Sequence, residues 1–394
     1  MQRIVQAPQA YGWGSSSALQ RTLVIEHPGV LAEAWFGAHP SAPSLGSETG
    51  SLIDVIAAAP HDALGRDVVN RFGPQLPYLL KVIAAEHPLS LQVHPHIDAA
   101  RAGYDAEDAA GVPLDAPERN YKDRNHKPEL VYALTQFEAM CGFRAPRRAA
   151  EMFADLDCPL AKELHGVLVE KPSTEGIRTA FTRLLDPATR PAPDEVARLA
   201  DAVAARLADG SPSPRTDRTV ALLQREYPGD PGVVTSMLLN PVTLQPGEAM
   251  FVPAGGVHAY LHGVGVEIMA SSDNVLRAGL TPKHVDVPEL LRNVDYVAAP
   301  PIRIAPEVFH GATKVFYAPV DDFELSVTEL DDDDSHPLPG RGPRILLALG
   351  GELTVATSND GALTLTQGQA AFVPASDGRL SVRGHGRLVQ ADVP

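Results

Sequence analysis

Thr243–Ala254 reads TLQPGEAMFVPA, and Thr364–Ala375 reads TLTQGQAAFVPA. The two segments lie 121 residues apart and agree at eight of twelve positions without a gap. A glycine-centred turn, a short β-prone strand and a closing proline characterise small β-barrels built from hairpins, so the pair predicts a duplicated β-domain. The copies diverge just beyond the match. The first runs into Gly255-Gly256-Val257-His258, whereas the second places Arg379 where His258 stands. One copy thus offers a metal ligand that the other lacks.

Around this repeat the texture changes twice. Up to about residue 145, short runs bounded by Gly and Pro read as strands: Tyr78–Ile83, Leu89–His94 and Glu129–Leu134. From Pro146 to Glu226, Ala, Leu, Arg and Glu dominate. Val196, Leu199, Val203 and Leu207 recur at helical spacing between Pro193 and Gly210. This stretch is expected to be a helical insert, with Ser211–Asp217 as a loop within it. Strand texture resumes after Tyr227–Gly232 (YPGDPG). Asp331–Arg344 (DDDDSHPLPGRGPR) reads as a solvated loop. The expected division is residues 1–145 plus 227–300 as one barrel, 146–226 as the insert and 301–394 as a second barrel without a metal site.

The 394 residues carry a formal net charge of −16. Such an excess of acid argues against nucleic-acid or anionic-membrane partners, both of which need a basic footprint. An anionic small substrate then requires a local concentration of basic residues. The two cysteines, Cys141 and Cys158, form no CxxC pair and read as reduced core thiols. No apolar run reaches membrane-spanning length, and the N-terminus lacks a signal-peptide layout. The expectation is a cytoplasmic, soluble monomer.

Gln92, His94 and His96 alternate, so a strand would turn them to one face, although Pro95 can displace His96. Glu129 shares a strand face with Val131 and Ala133, and would point inward. With His258 these residues make two imidazoles, a carboxylate and an amide, a donor set suited to Zn²⁺ or a similar ion. Spacing alone does not assemble them into one site.

The strings LSLQVHPH (Leu89–His96), NHKPELVYAL (Asn125–Leu134), FEAMCGFR (Phe137–Arg144), NPVTLQPGEAMFVPAGGVHAYLHG (Asn240–Gly263) and VEIMASSDNVLRAGLTPKHVDVPELL (Val266–Leu291) resemble the type I phosphomannose isomerases. So do YGWG (Tyr11–Gly14), AEAWFGAHPSAPS (Ala32–Ser44) and YPGDPG. The likeness weakens in the helical insert and after Pro301. It implies a mainly β fold with an α-helical insert, made of duplicated cupin (jelly-roll) β-barrels. It also implies one Zn²⁺ per chain on Gln92, His94, Glu129 and His258, and an active-site role for Arg277. The implied reaction interconverts mannose 6-phosphate and fructose 6-phosphate through an enediol.

Such a reaction needs a base, a stabiliser of enediolate charge and a phosphate clamp. Lys127, two residues before Glu129, is the leading base; Glu267 and, as a relay, His126 are the alternatives. Lys81, Lys283, Arg277 and Ser90 are expected near the phosphate, with Lys122 or Arg124 as further candidates. Tyr260 is expected to line the sugar site. A metal-dependent isomerase of another sugar phosphate and a non-catalytic sugar-binding cupin are the competing readings.

Overall fold

The computed structural model describes residues 1–46, 50–359 and 361–394. It is built mainly of β-sheet with helices between. Among the described residues one sheet has eleven strands and the other ten. The first is centred on His258–Ala270, which pairs with Tyr78–Ala85 on one side and Glu129–Ala133 on the other. The start of that long strand bends away and pairs instead with Phe137–Phe143 and Gln92. A register shift between Tyr260 and His262 accompanies the bend, as a bulge re-aims a strand. The second sheet is centred on Leu380–Asp392, flanked by Glu324–Pro337 and Arg344–Thr357.

The repeated sequence folds the same way twice. Gly247 and Gly368 both take positive φ, +91° and +82°. The amide of Gly247 bonds to Ala133 O at 2.9 Å, and that of Gly368 to Ala348 O at 2.8 Å. Glu248 Oε2 accepts from the Gln245 amide, and Gln369 Oε1 from the Thr366 amide. Alternation then sorts the side chains identically. Ala249 and Phe251, like Ala370 and Phe372, enter the apolar core that the two sheets share. Met250 and Val252 face the interior of the first unit, and Ala371 and Val373 that of the second. Val252 is registered against Glu129, and Val373 against Arg344.

The turn is a corner rather than the expected hairpin. Leu239–Leu244 pairs with Phe137–Phe143, while Ala249–Val252 pairs with Glu129–Ala133. Sheet membership also crosses the boundaries expected from the sequence. Gln2–Val5 pairs with Ala370–Val373 in the second sheet, and Ile302–Ile304 with Ala249–Phe251 in the first.

The insert is helical, running through Pro146–Phe153, Pro159–Glu170, Thr174–Leu185, Pro193–Ala208 and Pro214–Glu226. Val196, Leu199 and Val203 are fully buried, as their spacing predicts. Its core is continuous with Val93, Met140 and Leu276, on strands beside the site, and with Leu91 just before the first of them. The loop expected at Ser211–Asp217 ends early, because Pro214 opens a helix whose first position needs no N–H donor. The acidic run is likewise no loop. Glu324–Pro337 continues as a strand across the aspartates, pairing with Leu380–Asp392 at Asp331 and Asp332 and again from His336 after a bulge, since backbone pairing is indifferent to side chains that point into solvent. Conversely, only Gln92–Val93 of Leu89–His94 is a strand, Pro88 and Pro95 limiting it.

The two turn glycines differ in their surroundings. A Cβ on Gly368 would lie 1.9 Å from Leu23 O, whereas one on Gly247 meets nothing nearer than Tyr132 Oη at 3.9 Å. In urea unfolding, Gly247→Ala is expected to cost about 1 kcal/mol for its backbone strain alone. Gly368→Ala is expected to cost at least about 2 kcal/mol more, from the added overlap. Equal losses would contradict this placement of the second turn.

Candidate active site

His94 follows the short strand Gln92–Val93, Glu129 heads its strand, and His258 begins the long central one. All three are buried, and their ligand atoms lie within 4.8 Å of one another. His94 Nε2 is 3.1 Å from Glu129 Oε1, and His258 Nε2 is 3.4 Å from Glu129 Oε2.

The far nitrogen of each ring is occupied. His94 Nδ1 lies 2.8 Å from the Asn274 carbonyl oxygen, and His258 Nδ1 lies 3.0 Å from that of Gly256. A carbonyl only accepts, so each Nδ1 carries a proton, which leaves Nε2 as the ring atom that can ligate a metal. Burial pushes His94 down to about 4, so it is neutral near pH 7. Its Nε2 is buried and has no hydrogen-bond partner. Burial also disfavours charge on Glu129, but the Lys127 ammonium beside it opposes that, and the carboxyl is held well below the usual carboxylate range.

Both Nε2 atoms therefore face an ionised carboxylate in a buried cluster. Without a cation these acceptors repel. Ligands about 2.0–2.1 Å from a tetrahedral zinc lie roughly 3.3 Å apart, close to the spacings seen here. The donor set fits a divalent ion of the zinc type. Gln92 is registered directly against His258 and lines the same small cavity, its amide nitrogen 3.4 Å from Ser90 Oγ.

Gly255 and Gly256 make the approach to His258 possible. Gly255 has φ +78°, and a Cβ there would meet His96 Nε2 at 2.8 Å. His96 itself lies outside the cluster, immediately before the helix Ile97–Ala109. Asn274 is held by its own side chain, whose Nδ2 donates to Asp123 O and Asn125 O, and whose Oδ1 accepts from the Lys122 amide. Tyr260 does not line an open sugar site. It is buried, and its hydroxyl donates to Glu129 Oε2 at 3.2 Å.

A small cavity of about 50 Å³ holds Gln92, Lys127, Glu129, His258 and Tyr260. Beside it lies a cleft of about 710 Å³, with Gln92, Lys81, Lys127 and Glu33 shared between the two. Ser90, Arg277 and Lys283 line the cleft. Lys127 Nζ is 3.4 Å from Glu129 Oε1. Arg277, registered against Gln92, has no hydrogen-bond or ion-pair partner among the described residues, and burial lowers its pKa. Asp273, four residues before Arg277, lies instead 3.4 Å from His39. Lys283 is lowered by burial and by Arg277. The cleft thus carries two cations, Arg277 and Lys283, without an ion-pair partner among the described residues, although the chain is acidic overall.

Other candidates are placed differently. Lys81 Nζ is buried, 3.1 Å from Glu267 Oε2 and 3.9 Å from Glu33 Oε2. Burial alone would lower its pKa; Glu33, Glu267 and Glu129 outweigh that and raise it, so it stays charged. Burial, with Glu129, raises Glu267. His126 turns away from the cluster, with Nε2 3.0 Å from Asp322. Lys122 Nζ donates to the Leu114 and Ala116 carbonyls, and Arg124 pairs with Asp105. Neither lines the cleft. Sequence reading missed Glu33, whose Oε2 accepts from Trp35 Nε1 at 2.6 Å. The signal available was a Glu and a Trp two apart on one strand face.

Fold and site together define a metalloenzyme with a cation-lined cleft beside a buried ligand cluster. The chain belongs to the phosphomannose isomerase family. The model for "Phosphomannose isomerase type I, catalytic domain" matches residues 1–146. Mannose-6-phosphate isomerase of Escherichia coli (strain K12) is 40% identical over 397 residues, covering 99% of each chain. The Bos taurus protein of that name is 31% identical, with 94% of this chain and 92% of the relative covered. A crystal structure of mannose 6-phosphate isomerase bound with zinc and yttrium superposes with a TM-score of 0.89 at 39% identity, covering 100% of this chain and 99% of the other.

Tyr260→Phe removes one donor to Glu129 and nothing from the ligand set. The variant is expected to fold normally and bind zinc about 10-fold more weakly in a chelator competition. Unchanged affinity would show that the phenol does not position the carboxylate.

Proposed function

We propose that this chain is a zinc-dependent isomerase interconverting mannose 6-phosphate and fructose 6-phosphate. The observation that carries the reading is the meeting of His94, His258 and Glu129 beside a cleft with unpaired Arg277 and Lys283. Gln92 completes the ligand set. An ion held by these residues would supply Lewis acidity towards the sugar's oxygens.

The chain's own residues supply the rest. Arg277 and Lys283 hold the phosphate, Ser90 adds a hydroxyl, and the cleft volume suits a hexose phosphate. Lys127 is the base of choice, since it lines both the cleft and the deep cavity. It takes the proton from C2 and returns it to C1, while the hydroxyl proton passes from O2 to O1. Glu267 is the alternative, hindered by its pairing with Lys81. The ion pair of His126 with Asp322 weighs against a relay role.

Two cupin barrels account for the repeated turn. The catalytic unit comprises 1–145 and 227–300, the insert 146–226, and the second unit 301–394, with strand exchange at the edges. In the second unit Arg344 stands where Glu129 stands in the first, and Arg379 replaces His258. A cation site there is then lost. Two buried free cysteines suit a reducing, cytoplasmic compartment.

Chelation is expected to abolish mannose 6-phosphate turnover, and zinc to restore it; His258→Ala protein is expected to stay metal-free and inactive. Full turnover by metal-free protein would overturn the proposal. Faster turnover of another hexose phosphate would change the substrate.

Arg277→Ala is expected to retain zinc but to lose about 10²–10³ in kcat/KM. Lys127→Met is expected to stop exchange of the C2 proton with solvent while zinc stays bound. Persistent exchange would pass the base role to Glu267.

A further inference from the structure

The motif Tyr227–Gly232 (YPGDPG) follows the last helix of the insert, and the catalytic reading leaves it unused. Only its Tyr227 lines the catalytic cleft. Its side chains reach the two segments that form the phosphate end. Tyr227 Oη donates to Pro88 O at 2.6 Å, just before Ser90. Asp230 Oδ1 accepts from the Gly232 amide at 2.7 Å, and Oδ2 from the Thr281 amide at 3.4 Å. Thr281 Oγ1 in turn accepts from the Lys283 amide at 3.1 Å. Asp230 has no ion-pair partner among the described residues, so its carboxylate serves backbone donors.

The turn that Asp230 grips is strained. Leu280 holds φ +55°, a left-handed conformation that is costly for a residue with a Cβ. Its side chain is buried in the core of the helical insert. A Cβ on Gly232 would meet Leu280 Cγ at 2.8 Å, so glycine is what admits that side chain. Gly279 has φ +117°, and a Cβ there would meet Asp230 Oδ1 at 3.0 Å. Backbone bonds tie the same turn to Leu91, the neighbour of Gln92. Leu91 N donates to Gly279 O at 3.1 Å, and Ala278 N donates to Leu91 O at 2.8 Å. A leucine keeps such a conformation only where its surroundings over-determine it, and ligand clamps are one such place.

We infer that Asp230 is a positioning residue for Lys283, acting through Thr281, and that the end of the helical insert thereby sets the phosphate side of the cleft. The inference deepens the proposed function and rests on it. Lys283 is exposed and has no ion-pair partner among the described residues, so its long side chain is placed only as well as its backbone. Without Asp230 the Thr281 amide loses its acceptor, Leu280 is free to leave its left-handed conformation, and Lys283 is no longer held over the cleft.

Calorimetric titration of the zinc-loaded full chain with mannitol 1-phosphate, a hexitol phosphate that cannot isomerise, reads binding without turnover. Asp230→Ala is expected to keep its zinc and to bind this probe about tenfold more weakly. KM for mannose 6-phosphate is expected to rise in step, with kcat changed by no more than about twofold. Lys283→Met is expected to lose a similar factor, and the double variant no more than about twofold beyond it, since Asp230 acts through Lys283. Should Asp230→Ala not fold, Asp230→Asn turns one acceptor into a donor facing an amide, and is expected to show the same loss and the same coupling to Lys283→Met. Unchanged affinity in the Asp230 variant, or losses that multiply in the double variant, would overturn the inference and leave the role of Lys283 intact. Unchanged affinity in Lys283→Met would overturn that role and the inference with it.

Discussion

Two imidazole nitrogens and a carboxylate are buried within 4.8 Å of one another, and much of the surrounding architecture keeps them there. Buried acceptors facing one another are unfavourable unless a cation sits between them. The chain commits to that arrangement by fixing both imidazoles from behind. One carbonyl comes from Asn274, whose amide ties two loops together, and the other from Gly256, after Gly255 at positive φ packed against His96. Tyr260 then restrains the carboxylate itself.

The distribution of basic residues around this cluster is equally selective. Lys81 is surrounded by carboxylates and stacks near Trp35, 5.1 Å from the ring centre, so its charge is matched within the protein. Arg277 and Lys283 have no such partners among the described residues. In a chain of net charge −16, unbalanced cations next to a metal cluster concentrate positive potential where an anionic substrate enters. Lys127 stands between the two regimes, touching Glu129 on one side and the cleft on the other.

Much of this was legible because local rules fixed it. The repeated turn needs glycine at positive φ, and alternation after it assigns each apolar side chain to one of two cores. The helical insert follows from spacing and from proline at helix starts. What sequence could not show depends on distant pairings. The corner was read as a hairpin, because turn residues do not say which neighbours the flanking strands choose. Lys81 looked like a phosphate contact, because Glu33 and Glu267 reach it only across strands. His126 looked like a relay, because Asp322 is 196 residues away. The aspartate run looked like a loop, because solubility of side chains says little about pairing of backbone. The ligand set itself was assembled by resemblance, since its members are spread from Gln92 to His258.

The central claim is that one divalent ion organises these side chains. Anomalous diffraction at the zinc edge from crystals of the metal-loaded chain addresses it directly. The account predicts a single strong peak bonded to His94 Nε2, His258 Nε2, the Glu129 carboxylate and the Gln92 amide oxygen. A peak elsewhere, or none between the two imidazoles in fully active crystals, would contradict it.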